Sequence, residues 1–249
     1  MKTVVVGGTG LIGSRVVPLL EARGHKVVVA ARSTGVNSFT GEGLAEALEG
    51  ADVVVDVSNS SYTDEEAALE FFEASTLNLL TYGAAAGVQH HVALSVVGTD
   101  RLAASEGGYF KAKAVQEDLI RASHRPFTIV HATQFFEFLR SIADDATSAG
   151  RVQVSHALIQ PMAADDVALA VADAADAAPL GGMIEYGGPD RFRLDDLLRT
   201  TLRARHDPRE VIADPLARYF GSALSERELL PADDARTAAT SFGAWLERA

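Results

Sequence analysis

Apolar positions along this chain alternate between short β-branched runs and longer stretches at helical spacing. Thr3-Val4-Val5-Val6 reads as an apolar β-branched strand, and it stops at Gly7. A helical pattern over about residues 11–23 follows, Gly24-His25 turns the chain, and a second apolar run covers 26–31. The three together make a strand–helix–strand unit of about 30 residues. Residues 36–40 read as a short third strand, 44–48 as a short helix and 52–57 as a buried parallel strand. Residues 64–86 predict a long helix, N-capped by Asp64 and closed by Gly87, with Phe71 and Phe72 on its core side. Strands are expected at 91–97 and 126–131, with a helix opening at Gly107-Gly108 between them. Beyond Arg151 the pattern predicts a strand over 152–159, a helix over 165–177 and a strand over 183–186. A helix over 194–204, a strand over 210–213 and a final helix over 234–248 complete it. Strands alternating with helices imply an α/β fold, a doubly wound parallel sheet. No stretch reads as a linker, so residues 1–249 are taken as one Rossmann-like domain.

The first turn carries the strongest chemical signal. Gly7, Gly10 and Gly13 form G-x-x-G-x-x-G between a strand and a helix. The first glycine allows a sharp turn, the second lets backbone N–H groups approach a pyrophosphate, and the third lets helix pack close to strand. With Thr9, Leu11 and Ile12 they form the expected dinucleotide loop at a helix N-terminus. The second strand ends in Arg32-Ser33, where an acidic residue would bind the ribose 2′-OH of NAD. An arginine suits the 2′-phosphate of NADP, so NADP(H) is the expected cofactor; the bland alternative is a solvated arginine. Ser58 and Asn59 end another strand on its carboxyl side, either lining the same cleft or forming a plain polar loop.

Composition narrows the classes of function. The 249 residues contain no cysteine, which excludes disulfides, thiol catalysis and thiolate metal sites. His90 and His91 are adjacent on a strand and point apart, so no metal site is expected. A formal net charge of −12 opposes nucleic acid as a partner. No apolar window has the length of a membrane span or a signal segment, so the expected location is the cytoplasm. Whether the protein is a monomer or a homodimer stays open.

Tyr109 and Lys113 lie four residues apart, on one face of a predicted helix. A nearby ammonium favours phenolate and lowers a tyrosine's pKa, and the same lysine can hold the nicotinamide ribose. Ser95, at a strand's carboxyl end, is placed to hydrogen-bond a substrate carbonyl. Ser95, Tyr109 and Lys113 are therefore the expected catalytic set, with Tyr109 supplying the proton.

With Gly7 to Gly13, Arg32-Ser33, Ala93-Leu94-Ser95-Val96-Val97-Gly98 and Tyr109 to Lys113, the sequence resembles the short-chain dehydrogenase/reductase superfamily. Gln160 to Ala168 and Gly187-Gly188-Pro189 resemble its atypical, NmrA-like branch. The resemblance implies a small C-terminal substrate lobe assembled from about residues 134–249. It implies NADP(H) in the cleft and a carbonyl or related unsaturated group on a small organic substrate. It also implies that Gln134, Phe135 and Phe136 flank nicotinamide and substrate, with core packing as the alternative for the phenylalanines. Phe39-Thr40-Gly41-Glu42 departs from relatives that carry an adenine-contacting aspartate there. A non-catalytic NADP(H)-binding redox sensor and a sugar-nucleotide epimerase or dehydratase are the alternative functions.

Overall fold

The computed structural model describes residues 1–104 and 108–248, so Gly107 lies outside the described residues. The first half comprises β1 (Lys2–Val6), α1 (Gly13–Ala22), β2 (Lys26–Ala30), α2 (Leu44–Leu48), β3 (Val53–Asp56), α3 (Glu65–Ala86), β4 (His90–Val96), α4 (Thr99–Ala104), α5 (Gly108–Ala122) and β5 (Phe127–Ala132). The second half adds α6 (Leu139–Asp145), β6 (Thr147–Ser148), β7 (Arg151–Val154), β8 (Leu158–Ile159), α7 (Ala164–Asp176), β9 (Gly182–Gly187), β10 (Phe192–Arg193), α8 (Leu194–Ala204), β11 (Glu210–Ala213), β12 (Arg218–Tyr219), β13 (Ser222–Ala223), β14 (Arg236–Thr237) and α9 (Phe242–Leu246).

Seven strands form one parallel sheet in the order β2-β1-β3-β4-β5-β9-β14. The valines of β1 explain its two covered faces. Val5 packs with Val16 and Leu20 of α1 and Val171 of α7, while Val4 and Val6 pack with Leu44, Leu48 and Leu79 of α2 and α3. Each such fully buried side chain contributes about 1.5–3 kcal/mol by leaving water. Asp64 caps α3 by accepting the Ala67 N–H at 3.0 Å. From β1 the chain first moves outward to β2 and then returns to β3 on the other side. That reversal makes a crevice at the carboxyl ends of β1 and β3, where ligands of open α/β sheets bind.

A small lobe packs beside the sheet, with β6, β7 and β11 as a three-stranded unit. Its core includes Leu139, Ile142, Val152, Leu197, Leu198 and Phe242, and it continues into Tyr109 and Phe110 of α5. Not all of 134–249 enters this lobe, because β9 and β14 join the central sheet and α7 covers it.

Three expectations need correction, and one helix is additional. Residues 36–40 form no strand, and 38–40 are a turn. Asn37 accepts the Phe39 N–H on its side chain, and Asn78 of α3 holds the Ser38 and Phe39 carbonyls, so local polar bonds replace a ladder. The strand expected over 152–159 is two strands, β7 and β8. The final helix is only α9, because Arg236 and Thr237 pair with Tyr186 and Gly187 at the sheet edge. Helix α4 was not anticipated. No helix among the described residues is long and apolar enough to cross a membrane.

Candidate cofactor and active site

The glycine loop turns from β1 into α1 by backbone geometry that excludes side chains. Gly7 has φ +77°, and a Cβ on it would lie 2.8 Å from the Ser58 backbone. A Cβ on Gly13 would lie 2.3 Å from the Gly7 carbonyl oxygen. Gly10 is exposed, and a Cβ there would meet only that same oxygen, at 3.2 Å. The Leu11 and Ile12 amides have no acceptor among the described residues, and Ile12 gives α1 no side-chain cap. Free amides at the start of a ten-residue helix, beside a glycine with room above it, fit a pyrophosphate.

A cavity of about 990 Å³ opens at this turn. Its lining includes Gly7, Thr9, Gly10, Leu11 and Ile12, together with Arg32 and Ser33 past the end of β2, and Ser58 and Asn59 past the end of β3. Gly13 is not in the lining; it is the close-packing glycine under the loop. The Arg32 side chain is exposed and has no hydrogen bond or ion pair among the described residues. Ser95, Tyr109, Lys113, Gln134 and Phe135 line the same cavity. The fold thus brings together every expected site residue except Gly13 and Phe136. Phe136 is buried against Phe242 and Trp245, so it is core of the small lobe and not a substrate contact. Phe71, expected in the core, packs against it beside Phe72 and also lines the cavity.

Tyr109 and Lys113 are fixed by different neighbours. The Tyr109 hydroxyl donates to Asn59 Oδ1 at 2.9 Å, and its ring lies 4.6 Å from that of Tyr62. Lys113 Nζ donates to the Leu94 carbonyl at 2.8 Å and to the Gln116 side chain, 4.5 Å over the Phe72 ring. Gln116 in turn donates to Asp56 Oδ2 at 2.9 Å. Burial lowers the Lys113 pKa to about 8, against the upward pull of Asp56 and Glu117, so it is still mainly cationic at neutral pH. Burial pushes the Tyr109 hydroxyl well above its ordinary value, and the nearby tyrosines add to this. The expected lowering of Tyr109 by Lys113 is therefore corrected. The ammonium is spent on Leu94 and Gln116, and Tyr109 is a phenol that holds its proton.

Ser95 also departs from expectation. Its hydroxyl donates to Glu117 Oε1 at 2.5 Å, so its proton points to a carboxylate and not to a substrate oxygen. Glu117 also takes a hydrogen bond from His131 Nε2 at 2.9 Å and pairs with Arg121 at 2.7 Å. Burial alone would raise the Glu117 pKa; the hydrogen bonds from His131 and Ser95 and the Arg121 charge outweigh it and hold the group at about 2. A depressed acid stabilises the fold above its unfolded pKa near 4.5 and loses that contribution as pH falls toward 2, by about 3 kcal/mol in all. Glu117→Gln is expected to unfold at lower temperature at pH 7 and to show a flatter loss of stability between pH 5 and 3. Parallel pH curves for both proteins, read by thermal melts, would contradict this.

Gln134, unlike Ser95, has side-chain polar atoms without a partner. It is 8% exposed, and both its side-chain Nε2 and Oε1 are buried without a partner. An unpaired buried amide is costly, so a ligand group is the natural partner in this cavity. Glu117, Tyr62 and Phe220 are site residues that sequence reasoning missed. Glu117 alone had a signal, standing one helical turn beyond Lys113.

A family model described as NAD(P)H-binding matches residues 7–178. The chain belongs to this NAD(P)H-binding family. The matched segment runs from the glycine loop through α7, so it contains most of the crevice lining; Val6, Tyr219 and Phe220 lie outside it. The Photosystem II assembly factor Ycf39 of Synechocystis sp. is 32% identical over 111 residues, 39% of this chain and 34% of that one. The chain thus matches about a third of that relative's length. DesIV, a dTDP-glucose 4,6-dehydratase from Streptomyces venezuelae solved with NAD and TYD bound, superposes with a TM-score of 0.75 at 20% identity. That alignment covers 100% of this chain and 95% of DesIV. A short-chain dehydrogenase/reductase superfamily protein from Agrobacterium tumefaciens, with NAD bound, gives 0.71 at 16% identity over 100% and 95% of the two chains. The family member described here shares the fold of that superfamily, as its sequence resemblance implied.

Proposed function

We propose that this protein is an NADP(H)-dependent reductase of the NmrA-like branch, acting on a carbonyl or related unsaturated group of a small molecule. The observation that carries the reading is that Arg32, the free loop amides, Tyr109 and Lys113 all line one cavity. Leu11 and Ile12 amides would hold the pyrophosphate, Arg32 and Ser33 the 2′-phosphate, and Lys113 a ribose hydroxyl. NADPH, when bound, supplies the hydride. Gln134 Nε2 orients the acceptor oxygen by donating a hydrogen bond to it. Tyr109 keeps its proton at neutral pH, which suits an acid that protonates the oxygen during reduction and makes it a poor base for the reverse direction. Asn59 holds the Tyr109 hydroxyl in place between turnovers.

Arg32→Ala is expected to weaken NADPH by about 10- to 100-fold and NADH by less than about threefold, because only the former loses a phosphate partner. Equal losses in calorimetric titration would remove the 2′-phosphate role. The reductase reading itself is tested by NADPH oxidation, followed by absorbance, across a panel of ketones, aldehydes and quinones. Turnover of any member supports it, and tight NADPH binding without turnover would favour a redox sensor. That second reading draws on the Ser95 proton being committed to Glu117.

A further inference from the structure

We infer that the substrate is a neutral, flat, largely apolar carbonyl compound of the aryl-ketone class, an inference that rests on the reductase reading above. Among the described residues that line the cavity, Arg32 and Lys113 are the only charged side chains, and both serve the cofactor in that reading. A phosphate, carboxylate or sugar nucleotide would enter the remaining space without a cation to pair with, in a protein of net charge −12. Much of the remaining wall is aromatic. Tyr62 is its hub, with ring centroids 4.6 Å from Tyr109, 5.6 Å from Phe138 and 5.6 Å from Phe220, and Phe135 lies 5.4 Å from Phe138. Such faces take flat rings by offset stacking and edge contacts. The polar group on offer is uncharged: the Gln134 amide, buried, unpartnered and in the cavity lining, donates to a carbonyl and accepts from the hydroxyl it becomes.

Phe220 adds an independent sign. It occupies the two-residue turn between β12 and β13 with φ +45°, followed by Gly221 at φ +83°. That turn favours Asn-Gly, and a bulky aromatic in the left-handed region is strained. The strain places a ring in the cavity wall, beside Tyr62 and Tyr219. Bound NADPH would supply a hydride to the carbonyl carbon, the C=O π pair would move to oxygen, and Tyr109 would give its proton to that oxygen. The cofactor would leave as NADP⁺ and the ketone as an alcohol, and solvent would return the proton to Tyr109.

The test is calorimetric titration of 2-acetylnaphthalene, 2-naphthoate and UDP-glucose into the full chain saturated with NADP⁺, alongside NADPH oxidation with each. The neutral ketone is expected to bind at least about tenfold more tightly than its carboxylate counterpart. Phe220→Asn, which keeps a residue suited to positive φ, is expected to weaken the ketone at least about fivefold while the NADPH Kd stays within about twofold. Ketone binding that is selective but yields no NADPH oxidation supports the ligand class and defeats the reductase reading. Binding of 2-naphthoate or UDP-glucose as tight as the ketone, no ketone binding at all, or an unchanged ketone Kd in Phe220→Asn overturns the inference.

Discussion

Replacing Tyr109 by phenylalanine is expected to lower turnover with NADPH by about 10²- to 10⁴-fold, the usual contribution of a positioned general acid. Cofactor affinity is expected to stay within about twofold, because the hydroxyl bonds Asn59 and not the glycine loop. The ring keeps its packing against Tyr62, Phe72 and Phe110, so the fold loses one hydrogen bond, worth about 1 kcal/mol. The high pKa of Tyr109 also predicts that activity in the reductive direction does not fall between pH 6 and 8 through loss of this proton. Undiminished turnover in Tyr109→Phe, measured by NADPH absorbance with any accepted ketone, would assign the proton donor elsewhere.

Gly10→Val is expected to weaken NADPH and NADH alike by at least about 100-fold, equivalent to roughly 2.7 kcal/mol. A Cβ at Gly10 meets only the Gly7 carbonyl oxygen, at 3.2 Å, so small adjustments let the protein fold. The valine methyls would then occupy the space in front of the Leu11 and Ile12 amides where a pyrophosphate fits. Circular dichroism and a melt check the fold, and calorimetry reads the affinity. Retained affinity in a folded variant would overturn the loop assignment. Gly13 is a poorer test, since a Cβ there lies 2.3 Å from backbone and the fold itself would suffer.

The sheet was legible in the sequence because its strands are dense β-branched runs broken by glycine, as at Val4-Val5-Val6-Gly7. Helices α2 and α8 appear at the residues their apolar spacing marks, and Asp64 caps α3 as its position implies. The failures have local causes. Val36 to Thr40 has strand-like residues, but Asn37 and Asn78 offer the backbone better partners. The C-terminal tail lacks a strong period, and a two-residue pairing with β9 decides its course. In the site, residue positions were readable and their bonding was not. Spacing places Tyr109 and Lys113 on one face, yet only tertiary packing gives Lys113 to Leu94 and Gln116 and gives the Ser95 proton to Glu117. The aromatic wall draws Tyr62, Phe138 and Phe220 from three segments far apart in the sequence, a juxtaposition no linear pattern carries.

The most direct measurement of the central claim is calorimetric titration of NADPH and NADH into the wild-type protein. The crevice described here predicts one site per chain, with NADPH bound at least about tenfold more tightly than NADH through Arg32. Failure to bind either nucleotide would contradict the reading of the glycine loop as a cofactor site, and a preference for NADH would contradict the role given to Arg32.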